Sequence, residues 1–177
     1  MAYDARLNRT KLYLNNPAEY FNMLVTEIKA FIKKAERKGL MPLVRLNGTS
    51  DIRFENIGFV FDGVYFRNIF EYFPNLQFYD YTKIPNRFNS MNGLSDFPKN
   101  YDLTFSYSGA DGFQKYNDRA LKAGVRIAAV FDRVENIPVT FHKRKVVSGD
   151  ETDVRHLDPQ NVIVALYAKG KARKDTS

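Results

Sequence analysis

Cysteine is absent from the 177 residues, which excludes disulfides, thiolate zinc sites and cysteine-held iron–sulfur clusters within this chain. The absence fits a reducing cytoplasm. Long apolar runs are missing too: none approaches the roughly 18–20 residues that span a bilayer, and the opening MAYDARLNRTK lacks the apolar centre of a secretion signal. The expectation is a soluble cytoplasmic protein with no membrane partner. Histidine is scarce, since His142 and His156 are the only two, and neither has a nucleophile pattern beside it. No G-x-S-x-G elbow, Walker loop or dinucleotide fingerprint occurs. These gaps remove the motif-bearing hydrolases, P-loop enzymes and dehydrogenases from consideration.

What is present is apolar and basic. An apolar content of 44%, with 15 Phe and 11 Tyr, supplies a core for a chain of one ordinary domain. We expect a single domain over residues 1–177, with a basic N-terminal arm and a polar basic C-terminal tail. The excess of 27 Lys and Arg over 20 Asp and Glu gives a net charge of +7. Such a balance favours polyanionic partners, nucleic acid first.

The first segment, Tyr3 to Leu14, suits a short helix or an arm. Asn15-Asn16-Pro17 then reads as a helix start, and Tyr20, Phe21, Leu24, Val25, Ile28, Phe31, Ile32 and Ala35 recur at helical spacing until Gly39 stops the run. Strands are expected at Leu43–Asn47, Leu76–Thr82, Tyr101–Tyr107, Val125–Phe131 and Val162–Tyr167. A strand or hairpin is expected over Val139–Val147, with His142 to Lys145 exposed, and Phe54–Asp62 stays without an element. A short helix is expected near Asn68–Phe73, and another over Phe113–Ala123 with Tyr116, Ala120 and Leu121 inward. Strand starts at Leu76, Tyr101 and Val125 lie about 25 residues apart, the length of a minimal strand–helix unit. The fold class expected is therefore α/β: a mostly parallel sheet of five to six strands with alternating helices, as an open or partial (β/α) barrel.

In parallel α/β folds ligands bind at the carboxyl ends of the strands. The stretch Pro42 to Arg53 breaks from an apolar strand into Asn47-Gly48-Thr49-Ser50-Asp51, and later strands end on polar groups as well. One rim is expected to collect Arg45, Asn47, Thr49, Ser50 and Asp51, then Asp80, Thr82, Lys83 and Arg87, then Ser106 and Ser108, and finally Lys169. Thr104 on the third strand and Lys171 after the last are expected on the same rim. Arginine, lysine, hydroxyls and amides suit an anion such as a phosphate, a nucleotide or a nucleic-acid backbone. The same residues are also ordinary turn formers. They name no cofactor. The carboxylate-rich block from Gly149 to Pro159 fits neither a calcium helix–loop–helix nor a histidine-based zinc motif. We read it as an ion-paired turn in which Arg155 answers Asp153 or Asp158, and expect no metal site.

Long blocks carry a resemblance: PLVRLNGTSDIRFE, IFEYFPNLQFYDYTKIPNR, NYDLTFSYSG, AGVRIAAVF, VVSGDETDVRHLDP and VALYAKGKARKD. Together they resemble a group of phage- and plasmid-borne proteins, a likeness that brings no activity with it. More distantly, the order of a polar strand end, a strand ending Tyr81-Thr82-Lys83 and a third ending in hydroxyls is similar to radical-SAM-like proteins of mobile elements. That resemblance implies a partial (β/α) barrel. In such relatives a cysteine-bearing segment precedes the matched region, and the chain's lack of cysteine speaks against cluster chemistry.

The leading expectation is thus a mobile-element protein in the cytoplasm of a bacterial host, binding nucleic acid or a phosphate-bearing ligand at its strand ends. A partial-barrel enzyme acting on a nucleotide or nucleic-acid substrate is an alternative. A host-interaction protein without catalysis, using exposed aromatics between Phe54 and Phe66, is another.

Overall fold

The computed structural model describes residues 2–88 and 97–168, together with the backbone but not the side chains of residues 2 and 3. Its helices and strands in chain order are α1 (Ala2–Asn15), α2 (Pro17–Glu36), β1 (Leu43–Val44), β2 (Phe59–Phe61), β3 (Val64–Phe66), α3 (Ile69–Tyr72), β4 (Gln77–Thr82) and β5 (Tyr101–Ser106). Then follow α4 (Gln114–Lys122), β6 (Ile127–Phe131), β7 (Thr140–Phe141), β8 (Arg144–Ser148) and β9 (Ile163–Tyr167). The class is α/β, with a seven-stranded sheet in the order β1-β4-β5-β6-β9-β8-β7 and a separate β2-β3 pair. The pairs β1–β4, β5–β6, β6–β9 and β8–β9 are parallel, and β7 joins β8 antiparallel. The sheet is open and mostly parallel, and it has one strand more than the five to six expected.

The chain forms two compact units, and the division falls inside β4, between Phe78 and Tyr79. The first comprises Met1–Val44 and Ile52–Phe78. Here α2 starts as its sequence dictates: Asn16 Oδ1 accepts the Glu19 N–H at 3.2 Å and Pro17 opens the first turn. Gly39, at φ 63°, follows the helix end in the left-handed region. The buried stripe Phe21, Val25, Ile28 and Ala35 faces an aromatic core. Phe21 stacks on Phe59 at 4.8 Å between centroids and meets Phe54 edge-on. Phe54 and Phe59 are therefore core residues and not exposed interface aromatics.

The Phe54–Asp62 stretch, assigned no element from its sequence, holds a short 3-10 turn (Phe54–Asn56) and the first strand of the β2–β3 hairpin. The turn is Asp62-Gly63, with φ of 50° and 78°, the left-handed pair that a two-residue hairpin requires.

The second unit, Arg45–Asp51 with Tyr79–Ser177, contains most of the sheet. Its apolar centre is Leu103, Phe105, Ile127, Ala129, Ile163 and Ala165, all buried. Two expectations are corrected. Tyr116 is 46% exposed, and the polar Asn117 occupies the inward stripe of α4 with Ala120. Arg144 is buried, its guanidinium donating to the carbonyls of Val125 and Leu121, so of the four residues His142 to Lys145 expected to be exposed it is the exception. Arg155 pairs with Asp158 at 2.9 Å, one of the two partners expected, and donates to the Gly149 carbonyl at 2.8 Å.

Gly149 is required by close approach. A Cβ there would lie 2.5 Å from Val164 Cγ1 and 2.9 Å from the Ala165 carbonyl, whose oxygen accepts the Gly149 N–H at 2.8 Å. Gly149→Ala is expected to lower stability by about 1–3 kcal/mol in urea unfolding, because backbone leaves the methyl no room. Gly109→Ala, at a position with open space, is expected to unfold like the parent.

Candidate functional site

The segment that leaves β1 passes at Arg45 into the second unit, where side chains from β4 and β5 take hold of it. Asp80, in the middle of β4 and 0% exposed, accepts the Asn47 backbone N–H on Oδ1 at 2.8 Å. Its Oδ2 accepts the Asn47 amide at 3.0 Å and the Tyr101 hydroxyl at 2.9 Å. The Tyr101 hydroxyl in turn accepts from Arg87 Nη2 at 2.9 Å. Arg87 Nη1 donates to Asp51 Oδ1 at 2.7 Å. Asp51 Oδ2 closes the chain by accepting the Thr82 hydroxyl at 2.9 Å and the Lys83 backbone N–H at 2.8 Å. Asn47 Oδ1 also accepts the Ser50 hydroxyl at 2.8 Å, which folds the intervening turn.

The local sequence accounts for this arrangement. The pleat of β4 sends Phe78, Asp80 and Thr82 to its buried side and Tyr79 and Tyr81 to the other. A buried carboxylate must be hydrogen-bonded, and Asn47 and Tyr101 supply three donors to Asp80. Burial still dominates: it pushes the Asp80 carboxyl up to about 6, against the pull of those donors and of Arg45 Nε at 3.9 Å.

The predicted residues thus separate into two groups. Asn47, Asp51, Asp80, Thr82 and Arg87 converge, but on one another: both oxygens of each carboxylate already accept protein donors, and Arg87 is buried. Arg45, Ser50, Lys83, Ser106 and Ser108 keep access to solvent. Arg45 lies over the Tyr81 ring at 4.7 Å from its centroid. The Lys83 ammonium sits 3.3 Å from Ser106 Oγ, 3.4 Å from the Ser106 carbonyl and 5.4 Å from the Phe113 centroid. Partial burial lowers the Lys83 pKa, and Asp51 opposes the shift. Among the described residues no carboxylate lies within ion-pair distance of this ammonium.

Thr49 is exposed in the turn. Thr104 is buried and accepts from Arg126 Nε at 2.9 Å, so it faces a neighbouring strand and not the rim. Lys169 and Lys171 lie outside the described residues.

Two residues of the site were not anticipated. Tyr101, at the first position of β5, joins Asp80 to Arg87, and nothing in its sequence surroundings marks it. Asn117 donates to the Ser108 carbonyl at 2.8 Å and accepts the Ser108 N–H at 3.4 Å, holding the loop after β5. A polar residue in the inward stripe of a helix was the available signal for Asn117.

The chain belongs to the Gene product 88 family, whose model matches residues 2–177. No curated protein and no solved structure matches it.

Asp80 generates a pH prediction. Its folded-state pKa of about 6 lies above the ordinary 3.8, so between those values the folded chain holds a proton that the unfolded chain has lost. The Asp80 contribution to stability is then fully present below about pH 4, falls by on the order of 2–3 kcal/mol as pH rises to 6, and is constant above. Urea unfolding from pH 4 to 7 is expected to show this slope in the parent and to lose it in Asp80→Asn. Parallel curves for the two proteins would contradict it.

Proposed function

We propose that this Gene product 88 family member binds a phosphate-bearing ligand, nucleic acid foremost, at the carboxyl ends of β4 and β5. The observation that carries the reading is Lys83: a partly desolvated ammonium beside the Ser106 hydroxyl, with no carboxylate at ion-pair distance among the described residues. An ammonium stripped of part of its water and without a direct ion-pair partner gains from an anion, and a hydroxyl beside it can donate to the same phosphate oxygen. The net charge of +7 supports a polyanion over a small neutral ligand.

Binding is favoured over chemistry by the state of the two carboxylates. A general base needs a free oxygen within reach of the substrate, and the oxygens of Asp51 and Asp80 all accept from the protein itself. The reading places the protein in the bacterial cytoplasm, in the service of a mobile element, where nucleic acid is the abundant polyanion.

Anisotropy of a labelled oligonucleotide across a salt series tests it. Affinity is expected to fall linearly on a log–log plot, and Lys83→Ala to weaken binding and flatten the slope by about 0.7–0.9, one phosphate contact. The substitution keeps the backbone N–H that holds Asp51, so the fold is expected to survive. Lys83→Arg is expected to restore binding. Salt-independent affinity, or an Ala variant that binds like the parent, would overturn the reading.

A further inference from the structure

The face of the sheet opposite the buried network has a composition that neither a core nor an ordinary solvated surface explains. Tyr79 and Tyr81 share it, both half-buried, two residues apart on β4. Lys83 reaches Ser106 on the same side. The register Ser106↔Ala128 continues the face onto β6, where Val130 follows two residues later and is 66% exposed.

The amino-end half of this face is closed. Arg126 donates to Thr104 Oγ1 and to the Asp158 carbonyl at 2.8 Å and pairs with Asp102, and the Arg155–Asp158 turn lies over it. The carboxyl-end half is accessible. It presents an exposed valine and two cations, Arg45 stacked over Tyr81 and Lys83 at the strand end, beside two half-buried tyrosines that have Arg155 and Asp153 of the adjoining turn among their charged neighbours.

Half-buried aromatic rings on a pleated face, bordered by cations, are complementary to a strand of unpaired bases. Rings stack on any base, while guanidinium and ammonium groups meet the phosphates between them. Residues two apart on a strand are separated by about 6.6 Å. The bases of a duplex lie about 3.4 Å apart along each strand with their faces already occupied. An extended single strand can match the wider spacing.

We infer that this half-face is a stacking platform and that the polyanion is single-stranded nucleic acid, with bases on Tyr79 and Tyr81 and phosphates at Arg45 and Lys83. The inference rests on the assignment of Lys83 as a phosphate contact and adds what that assignment leaves open, namely the strandedness of the ligand and the part played by its bases.

The test uses the full chain and three probes of about 12 nucleotides, within the range such sites cover: oligothymidine, an abasic strand with the same phosphates, and a duplex. Oligothymidine is expected to bind roughly tenfold or more tightly than either of the others. It is also expected to quench tyrosine emission, which no tryptophan obscures because the chain has none. Tyr79→Ala is expected to reduce oligothymidine affinity roughly tenfold and abasic binding far less, whereas Tyr81→Ala, which also removes the ring beneath Arg45, is expected to weaken both, with Tyr81→Phe close to the parent. Equal affinity for oligothymidine and the abasic strand, or preference for the duplex, overturns the platform while leaving the phosphate contact standing. Failure of all three probes to bind at low salt removes both. Because the probe comparison is made on the unaltered protein, it decides the matter even if an alanine variant fails to fold.

Discussion

A carboxylate shut away from water, Asp80, is the constraint around which the second unit is arranged. Such a group is tolerated only where donors surround it, and its donors come from the segment after β1 and from the start of β5. Satisfying Asp80 therefore fixes where Asn47 and Tyr101 stand. Tyr101 then orients Arg87, and Arg87 orients Asp51. One buried charge thereby locates a turn, two strands and the chain beyond β4.

This explains a division among residues that look alike on paper. Polar groups at strand ends can serve the fold or serve a ligand, and the same oxygen cannot fully do both. Asp51 and Asp80 are committed inward, together with Arg87 and Thr82. Lys83 contributes its backbone N–H to the network while its ammonium remains outside it. A second charged cluster, Arg126 with Asp102 and Arg155 with Asp158, closes the amino-end half of the opposite sheet face. Both clusters are structural by the same criterion: their charges are answered within the protein. Of the rim residues described, Lys83 at the carboxyl end of β4 is the one whose charge is left without an ion-pair partner.

Much of the architecture was legible because it depends on local pattern. The α2 stripe, its Asn16 cap and Gly39 stop are encoded within a few residues of where they act. The α/β class followed from strand spacing, and Asp158 was one of the two neighbours that the local sequence offered Arg155. The β2–β3 hairpin was equally local, with Asp62-Gly63 between two aromatic triplets, and went unread only because its strands are short. The inward orientation of the rim was not legible. Asn47 meets Asp80 across 33 positions and Arg87 meets Asp51 across 36, so no window of sequence contains both partners. Arg144 and Asn117 carry the same lesson: a polar residue looks exposed until the backbone carbonyl it serves is known.

The central claim is that the polar strand ends form one interdependent network and are not a set of separate ligand groups. A double-mutant cycle on Arg87→Met and Asp51→Asn, followed by urea unfolding, tests it most directly. Each single change strands a largely buried partner and is expected to destabilise by about 3–5 kcal/mol. The double change is expected to cost much less than their sum, leaving a coupling of about 2–3 kcal/mol. Additive effects, or single variants as stable as the parent, would contradict the account.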